Sequence, residues 1–466
     1  MSAAREIANL RSIPTDGNIL LDYTAGDALT ASSGTCNIAA GLNALGAATT
    51  GDDNIALGRL ALGAGTLTGG VNIAIGATAG DALTSGACNI AIGLNALTAA
   101  TDNCDNIAIG RSALAVSDGV GDHNIGIGAV ALGGADVAGS NNIAIGEAAG
   151  DAITSGSENI IMGKNAFGAS LTGSNNIAIG CLALGAGLVT GTHNVVLGSN
   201  AADALTSGGD NVAIGQNALG AATTNNNNVA IGQSALAATD GGAEQNVAIG
   251  TSALGGADVS GHNNIGIGNA AGDAITSGAC NIAIGKDAFG AATIGVKNVA
   301  IGWNAMSGVT TGQADQNVAI GECALKGCAG TSGNLNVAIG YRTVGGTGTN
   351  TTGASNIGIG PDALHAVTTG CHNIAIGNST GTSVTTTNCV VNIGYGANQT
   401  TAGVACIVAN CLMSTQFTAT SDCRSKCKIK DLPYGLNFIN LLRPVSYKWK
   451  PQADKLDSKG NLVCEG

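Results

Sequence analysis

The chain has 466 residues, with 75 Gly, 5 Pro, aromatic residues at 2%, charged residues at 10% and a formal net charge of −12. So few aromatic side chains exclude two or three ordinary globular domains, and the scarce Pro and irregular Gly spacing exclude a collagen triple helix. Abundant Ile, Val, Leu and Ala exclude disorder through low hydrophobicity, and the negative charge argues against nucleic acid as a partner.

The first segment, residues 1–36, precedes a long series of repeats. We expect it to be a cap or attachment segment that joins the chain to an attachment protein on a larger particle. Its charges at Arg5, Glu6 and Arg11, without an apolar stretch, argue against a conventional secretion signal. Because no run of about 18 apolar residues occurs in the chain, no membrane span is expected.

Residues 37–400 contain about 21 units of 17–20 residues. Each unit begins with the five-residue core Asn-(Ile/Val)-(Ala/Gly/Val/Ile)-(Ile/Leu/Met)-Gly, and many continue with Ala-Leu or Ala-Phe. The Asn positions are 54, 72, 89, 106, 124, 142, 159, 176, 194, 211, 228, 246, 264, 281, 298, 317, 336, 356 and 373, with degenerate copies from Asn37 and Asn392. Residues 71–156 resemble residues 193–278 at an offset of 122, which indicates duplication of a seven-unit block.

The five-residue core predicts a short β-strand in which two β-branched residues face one way and a small residue faces the other. We expect the paired Ile and Val side chains to fill a narrow core between stacked units, and the Asn and Gly to turn the corners in left-handed conformations. The predicted fold is all-β, a solenoid or β-roll about 100 Å long if each unit is one coil. A helical solenoid is the alternative, disfavoured because Gly and Asn are poor helix formers.

The unit resembles repeats in the head domains of trimeric adhesins, and more closely the Asn/Gly-rich repeats in tail-fibre proteins of phages and large viruses. The resemblance covers about 360 residues. It implies a parallel homotrimer in which small side chains meet near a threefold axis. Ala74, Ala91, Ala108 and their equivalents would suit that close approach.

After a transition over residues 401–420, the composition of the sequence changes at residue 421. Residues 415–466 hold nine Lys/Arg against five Asp/Glu, whereas residues 1–414 hold nine against 25. Leu436, Ile439 and Leu442 share one face of a predicted helix, and apolar and polar residues alternate from Val445 to Trp449 as in a half-exposed strand. We therefore predict a small α+β segment over residues 421–466.

This segment, residues 421–466, resembles part of the intramolecular chaperone auto-processing domain at the C-terminus of phage tail spikes and fibres, of the endosialidase type. The resemblance is carried by Ser421, Asp422, Arg424, Lys426, Ile429, Gly435, Leu436, Ile439, Pro444, Val445, Tyr447, Trp449 and Lys450. It implies a domain that aligns three chains and is then released by self-cleavage.

The resemblance also implies which residues cleave the chain. Ser421 would be the nucleophile and Lys426 the base, with Asp422 and Arg424 in support and the cut between Ser421 and Asp422. A Lys can accept a Ser proton when burial or neighbouring cations lower the pKa of its amine. Lys428 is one such neighbouring cation.

Cysteine and histidine are the remaining candidate ligands. The 14 Cys contain no CxxC pair and no Cys/His cluster of zinc-binding spacing, and Cys423 and Cys427 are too isolated to hold a metal. We therefore expect reduced, buried cysteines, with bridges between coils or chains as the alternative. His123, His193 and His372 precede the Asn of a unit, and a solvated corner is favoured over a ring of His holding an anion or metal at a trimer axis. No cofactor and no metal are expected.

These observations predict a structural fibre protein: a homotrimeric rod on a virion surface or another extracellular particle, used for display or for attachment to a host receptor or glycan. The alternative is a cell-surface trimeric adhesin whose rod binds the receptor. No enzyme acting on an external substrate is expected, because the Ser421 and Lys426 pair is the one candidate catalytic site and acts on its own chain.

Overall fold

The computed structural model describes residues 16–408, except 30–33, 118–120, 186, 240–241, 258, 292, 309–313, 328–332 and 346–350. The described residues form 23 short strands and no α-helix, so the helical alternative is wrong. The strands are β1 Ile19–Leu20, β2 Ile38–Ala40, β3 Ile55–Leu57, β4 Ile73–Ile75, β5 Ile90–Ile92, β6 Ile107–Ile109, β7 Ile125–Ile127, β8 Ile143–Ile145, β9 Ile160–Met162, β10 Ile177–Ile179, β11 Val195–Leu197, β12 Val212–Ile214, β13 Val229–Ile231, β14 Val247–Ile249, β15 Ile265–Ile267, β16 Ile282–Ile284, β17 Val299–Ile301, β18 Val318–Ile320, β19 Val337–Ile339, β20 Ile357–Ile359, β21 Ile374–Ile376, β22 Val391–Ile393 and β23 Ala405–Ile407.

Every strand pairs in parallel with the strand of the next unit, so sequence order is also spatial order. In the pairing of β5 with β6, Ile90 lies opposite Ile107 and Ala91 opposite Ala108, and the same register recurs from unit to unit. At about 4.8 Å per strand, the sheet is roughly 100 Å long. The predicted parallel β-solenoid of about 21 turns is confirmed.

The two faces of the sheet are the reverse of those predicted. Ala74, Ala91 and Ala108 point into the coil and are at most 1% exposed, whereas the Ile on either side of each Ala are only half-buried. The expectation that Ile and Val fill the core, and that these Ala lie at a chain interface, is therefore wrong.

The physical reason for this orientation is the Leu of the Ala-Leu corner, which already occupies the interior. Leu254 is fully buried, and a Cβ added to Gly266, at the centre of strand β15, would lie 2.8 Å from Leu254 Cγ. Most central strand positions have room only for Ala or another small side chain. The larger Ile and Val therefore take the outward positions.

The Asn of each unit has a different role from the one predicted. Asn89 is 1% exposed, accepts from the backbone N–H of Asn106 at 3.0 Å and donates through Nδ2 to the carbonyl of Asn103 at 2.7 Å. At that corner the left-handed residue is Cys88, directly before Asn89, with φ 60°, whereas Gly93 after the strand has a positive φ of 136°, as predicted. The repeated Asn is a buried connector between turns, and its neighbours turn the corner.

The last unit begins at Val390, not at Asn392. Val390 donates its backbone N–H to Asn373 Oδ1 at 2.9 Å, as the Asn of every earlier unit does to its predecessor. Asn392 lies at the buried centre of strand β22, opposite Ala375. The degenerate copy therefore begins two residues earlier than predicted, because Val390 stands where the earlier units have Asn.

Candidate functional site: the outward face of the sheet

The outward face of the sheet carries two continuous rows of aliphatic side chains. The first and third residues of strands β3 to β22 are Ile, Val, Leu or Met in every strand, without interruption. Third residues such as Ile75 and Ile376 are 37% and 38% exposed, and the first residues are half-buried. We call these two rows the apolar stripe.

An open apolar stripe of this length is unusual for a parallel sheet. Parallel sheets are normally covered on both faces, and the contiguous apolar patch on a monomer rarely exceeds a few hundred Å². Here the coil interior covers one face, and the described part of the chain supplies nothing that covers the other. The stripe is therefore a candidate interaction surface.

Two rows of corner residues border the apolar stripe. The N edge is the residue two positions before each strand, from Asp53 to Cys389, and the C edge is the residue two positions after it, from Arg59 to Tyr395. Around strand β3, the exposed Asp53 and Arg59 and the half-buried Ile55 and Leu57 alternate with buried or inward residues. Both edges are therefore exposed, one on each side of the strand that carries the stripe.

Charged residues along one edge form weak pairs between adjacent turns. Lys164 Nζ lies 3.1 Å from Glu147 Oε2 on the C edge, and His123 Nε2 lies 3.7 Å from Asp105 Oδ2 on the N edge. All four side chains are at least half exposed, so each pair contributes between zero and about 1 kcal/mol. The expected solvated position of His123 is confirmed.

A separate row of partly buried carboxylates lies at another corner of the coil. Burial raises the pKa of Asp81, Asp151, Asp203 and Asp273 above the ordinary value for Asp, and the charge of Asp287 adds to the shift at Asp273. These four residues are three or four strands apart, which is about 14 to 19 Å. They are too far from one another to act as a catalytic carboxylate pair or to share a metal.

Ligand clusters are missing from the described ranges, which contain no group of three or more His, Cys, Asp or Glu able to hold a metal ion. Cysteines were expected to be buried, and this is wrong for those described here: Cys36, Cys88, Cys181, Cys280 and Cys389 are exposed and the other four are partly exposed. Most of the exposed cysteines stand on the N edge, where the left-handed corner points them outward.

Ser421, Asp422, Arg424 and Lys426, the predicted self-cleavage residues, lie outside the described residues, as does the predicted α+β segment. The functional feature that sequence reasoning missed is the apolar stripe. The Ile-Ala-Ile alternation predicts the strands, but the buried and exposed faces are the reverse of those predicted. The signal that distinguishes the inward face from the outward face is the recurrent Leu or Phe after Ala, which fills the interior of the coil.

No helix among the described residues is long and apolar enough to span a membrane. Residues 421–461 match the family model described as chaperone of endosialidase, Peptidase_S74. No curated protein matches the chain. A β-solenoid followed by this segment fits a tail-fibre-like protein with a C-terminal chaperone domain.

Proposed function

We propose that the chain is a structural fibre protein in which three parallel copies pack through their apolar stripes into a rod that serves virion display or host attachment. The observation that carries the proposal is the unbroken stripe on strands β3 to β22. A second copy of the chain fits this surface because its own stripe has the same spacing over the same length.

The size of the apolar stripe supports this occupant. The two rows contain forty aliphatic side chains, two from each of twenty strands, and all are partly exposed. Together they offer on the order of 1,000 to 2,000 Å² per copy, against about 800 Å² per partner in an interface of standard size. Covering them would contribute the main favourable free energy of assembly.

The number three comes from the resemblance of the units to trimeric adhesin heads and tail fibres. Three sheets around a common axis bring three stripes together as a closed apolar centre. In this arrangement the Ile and Val rows meet near the axis, and the central Ala stay inside each coil.

A rod of near-identical units needs help to assemble in register, and the C-terminal segment could supply it. Units this alike pair out of register with little loss of contacts, and pairing between distant parts of a parallel sheet is slow. We propose that residues 421–466 align three chains before the rod forms. Release beside Ser421, with Lys426 as base, would then leave an assembly that reverts slowly.

Light scattering coupled to size exclusion tests the assembly on the full chain. We expect a mass of three chains, independent of concentration over the micromolar range. A stable single chain would refute the proposal. A two-chain mass would refute the trimer and leave the apolar stripe as the interface of a dimer.

A further inference from the structure

We infer that three turns with an acidic residue on one edge and a basic residue on the other fix the alignment between neighbouring copies. The pairs are Asp53 with Arg59, Asp105 with Arg111, and Glu158 with Lys164, on strands β3, β6 and β9. Each acid would pair with the base of the same turn in the next copy. The inference rests on the proposed assembly and adds to it the residues that set its register.

The apolar stripe cannot set this register by itself. A shift of one strand along the rod replaces Ile by Ile or Val at nearly every contact, so the buried apolar area hardly changes. Residues that differ from turn to turn are needed to tell the correct alignment from a slipped one. On the outward face, such residues are found on the N and C edges.

Symmetry determines which edges meet. When identical rods are related by rotation about an axis parallel to them, every contact is heterologous and the same turn lies at the same height in each copy. The N edge of one copy then faces the C edge of its neighbour. In the correct register, the N edge of each turn therefore lies beside the C edge of the same turn in the next copy.

The charges at strands β3, β6 and β9 fit this geometry. All six side chains are exposed, and the two members of a pair lie on opposite sides of a three-residue strand, six residues apart. Within the described part of one chain, no ion pair joins the two members, and Asp105 and Lys164 approach His123 and Glu147 instead. No turn between β3 and β22 carries charges of the same sign on both edges.

Slipped alignments lose these pairs. A slip of one strand in one direction places the three acids opposite Ala77, Ala129 and Cys181. The opposite slip places them against Leu42, Leu94 and Glu147, the last a carboxylate facing a carboxylate. A charge covered by an apolar neighbour, or facing a like charge, is unfavourable, so either slip is penalised three times.

Apolar edge residues are matched in the same way. Val71 and Ala77 border one strand, and Leu335 and Tyr341 border another. Val71, Leu335 and Tyr341 are 57%, 54% and 44% exposed in the single chain. In the in-register arrangement each meets an apolar partner, which agrees with the alignment that the charged pairs require.

Cross-linking on mixed isotopes tests the register directly. Chains labelled with 14N and 15N are unfolded, mixed, refolded together and treated with a carbodiimide, which joins carboxylates to amines. We expect a linked Glu158–Lys164 product that contains both isotopes. The Glu147–Lys164 link, whose atoms lie 3.1 Å apart in one chain, is the internal control and should be isotopically unmixed. Lys164→Arg should remove both products.

The outcomes separate this inference from the proposed assembly. A three-chain mass with links only inside one chain, or with mixed links from Lys164 to Asp105 or Asp210, overturns the inference alone, because the copies would be unregistered or slipped. A single-chain mass overturns the assembly and the inference with it.

Charge exchange gives a second readout. Replacing Asp53 and Asp105 by Lys should lower the melting temperature of the assembled rod and broaden its mass distribution. Adding Arg59→Glu and Arg111→Glu should restore both, because these two turns again carry opposite charges on their edges, and Lys164 is left unchanged because it contacts Glu147 within its own chain. Equal loss in the two-residue and four-residue variants would contradict the register role.

Discussion

The backbone N–H of Asn228 donates to Oδ1 of Asn211, one strand away, at 3.0 Å, and both residues are at most 1% exposed. Asn211 also donates through Nδ2 to the carbonyl of Asn225 at 2.7 Å. One side chain therefore satisfies a buried donor and a buried acceptor on the following turn. This contact recurs along the rod and makes the stability of each turn depend on its neighbour.

Replacement of a ladder residue should be strongly destabilising. Asn211→Ala leaves the Asn228 N–H and the Asn225 carbonyl without their partner, and each buried unsatisfied group costs about 1 to 3 kcal/mol. We expect a clear fall in melting temperature by circular dichroism. Gln233→Ala, at an exposed position of the C edge, is the matched control and should change little. Equal melting temperatures for the two variants would contradict the role of the ladder.

Charged substitutions in the apolar stripe should separate the copies without unfolding them. Ile75→Lys, Ile145→Lys and Ile249→Lys together place three ammonium groups on outward positions that are each 37% exposed in a single chain. We expect a single-chain mass by light scattering and an unchanged β-type circular dichroism spectrum.

The control for the apolar stripe uses exposed apolar residues elsewhere on the coil. Val116, Leu171 and Leu188 are 46%, 40% and 59% exposed and lie outside both rows. Their replacement by Lys should leave the three-chain mass intact. If both triple variants, or neither, lost assembly, the interface would have been assigned to the wrong surface.

The partly buried carboxylates predict a pH dependence with a definite sign. Burial raises the folded-state pKa of Asp273, so the charged form opposes folding. This penalty is fully present above the raised pKa and disappears as the pH falls below the unfolded value. Asp273→Asn should therefore raise the melting temperature at pH 7, and the gain should shrink toward pH 3.

Asp52 provides the opposite case. Hydrogen bonds from the backbone N–H and hydroxyl of Thr35 hold the pKa of Asp52 below its usual value. Its contribution is present above the unfolded pKa and is lost as the pH falls through the folded one. Asp52→Asn should be neutral or destabilising at pH 7. A stabilising Asp52→Asn, or a gain in Asp273→Asn that grew at low pH, would contradict these assignments.

The left-handed corners predict a stabilising substitution. Val130 has φ 61°, which is unfavourable for a β-branched residue, whereas the equivalent corner of another turn has Asn95 at φ 57°. Val130→Asn should increase the free energy of unfolding by about 1 kcal/mol in urea denaturation. Val116→Asn, where φ is not positive, should give no such gain. A gain of the same size at both positions would exclude backbone strain as the cause.

The C-terminal prediction concerns covalent chemistry. The full chain should be cut beside Ser421, and Ser421→Ala should abolish the cut, as seen by gel and intact mass. Lys426→Met should do the same, because it removes the proposed base. Ser425→Ala is the neighbouring control and should be cut normally. An uncut wild-type chain with an intact residue 421–466 segment would contradict the auto-processing proposal.

Much of this fold could be predicted from the sequence, because strict repetition makes the register of strands a property of the spacing. The C-terminal chaperone segment was likewise recognised from its residues, and the family match over residues 421–461 confirms it. The facing of the strand could not be deduced from Ile-Ala-Ile alone, since either face satisfies the alternation. It depends on what else occupies the coil, and Leu254 against Gly266 shows that the interior is already filled.

The role of the repeated Asn also could not be predicted from the general tolerance of Asn for left-handed backbone conformations. Asn tolerates left-handed backbone, but in this chain Asn89 is buried and Cys88 adopts that conformation. The charges of the N and C edges could not be assigned to an interaction surface from the sequence, because only the structure shows that Asp53 and Arg59 are both exposed beside the same strand.

Because each strand pairs only with the turn before and the turn after, the length of the rod is set by the number of turns. Adding or removing a whole unit would change the length of the rod by about 4.8 Å and leave every other contact as it was. The seven-unit block that recurs at an offset of 122 residues corresponds to a single step of about 34 Å. Duplication of a segment of the gene would therefore lengthen such a fibre by whole turns and would require no other change in the fold.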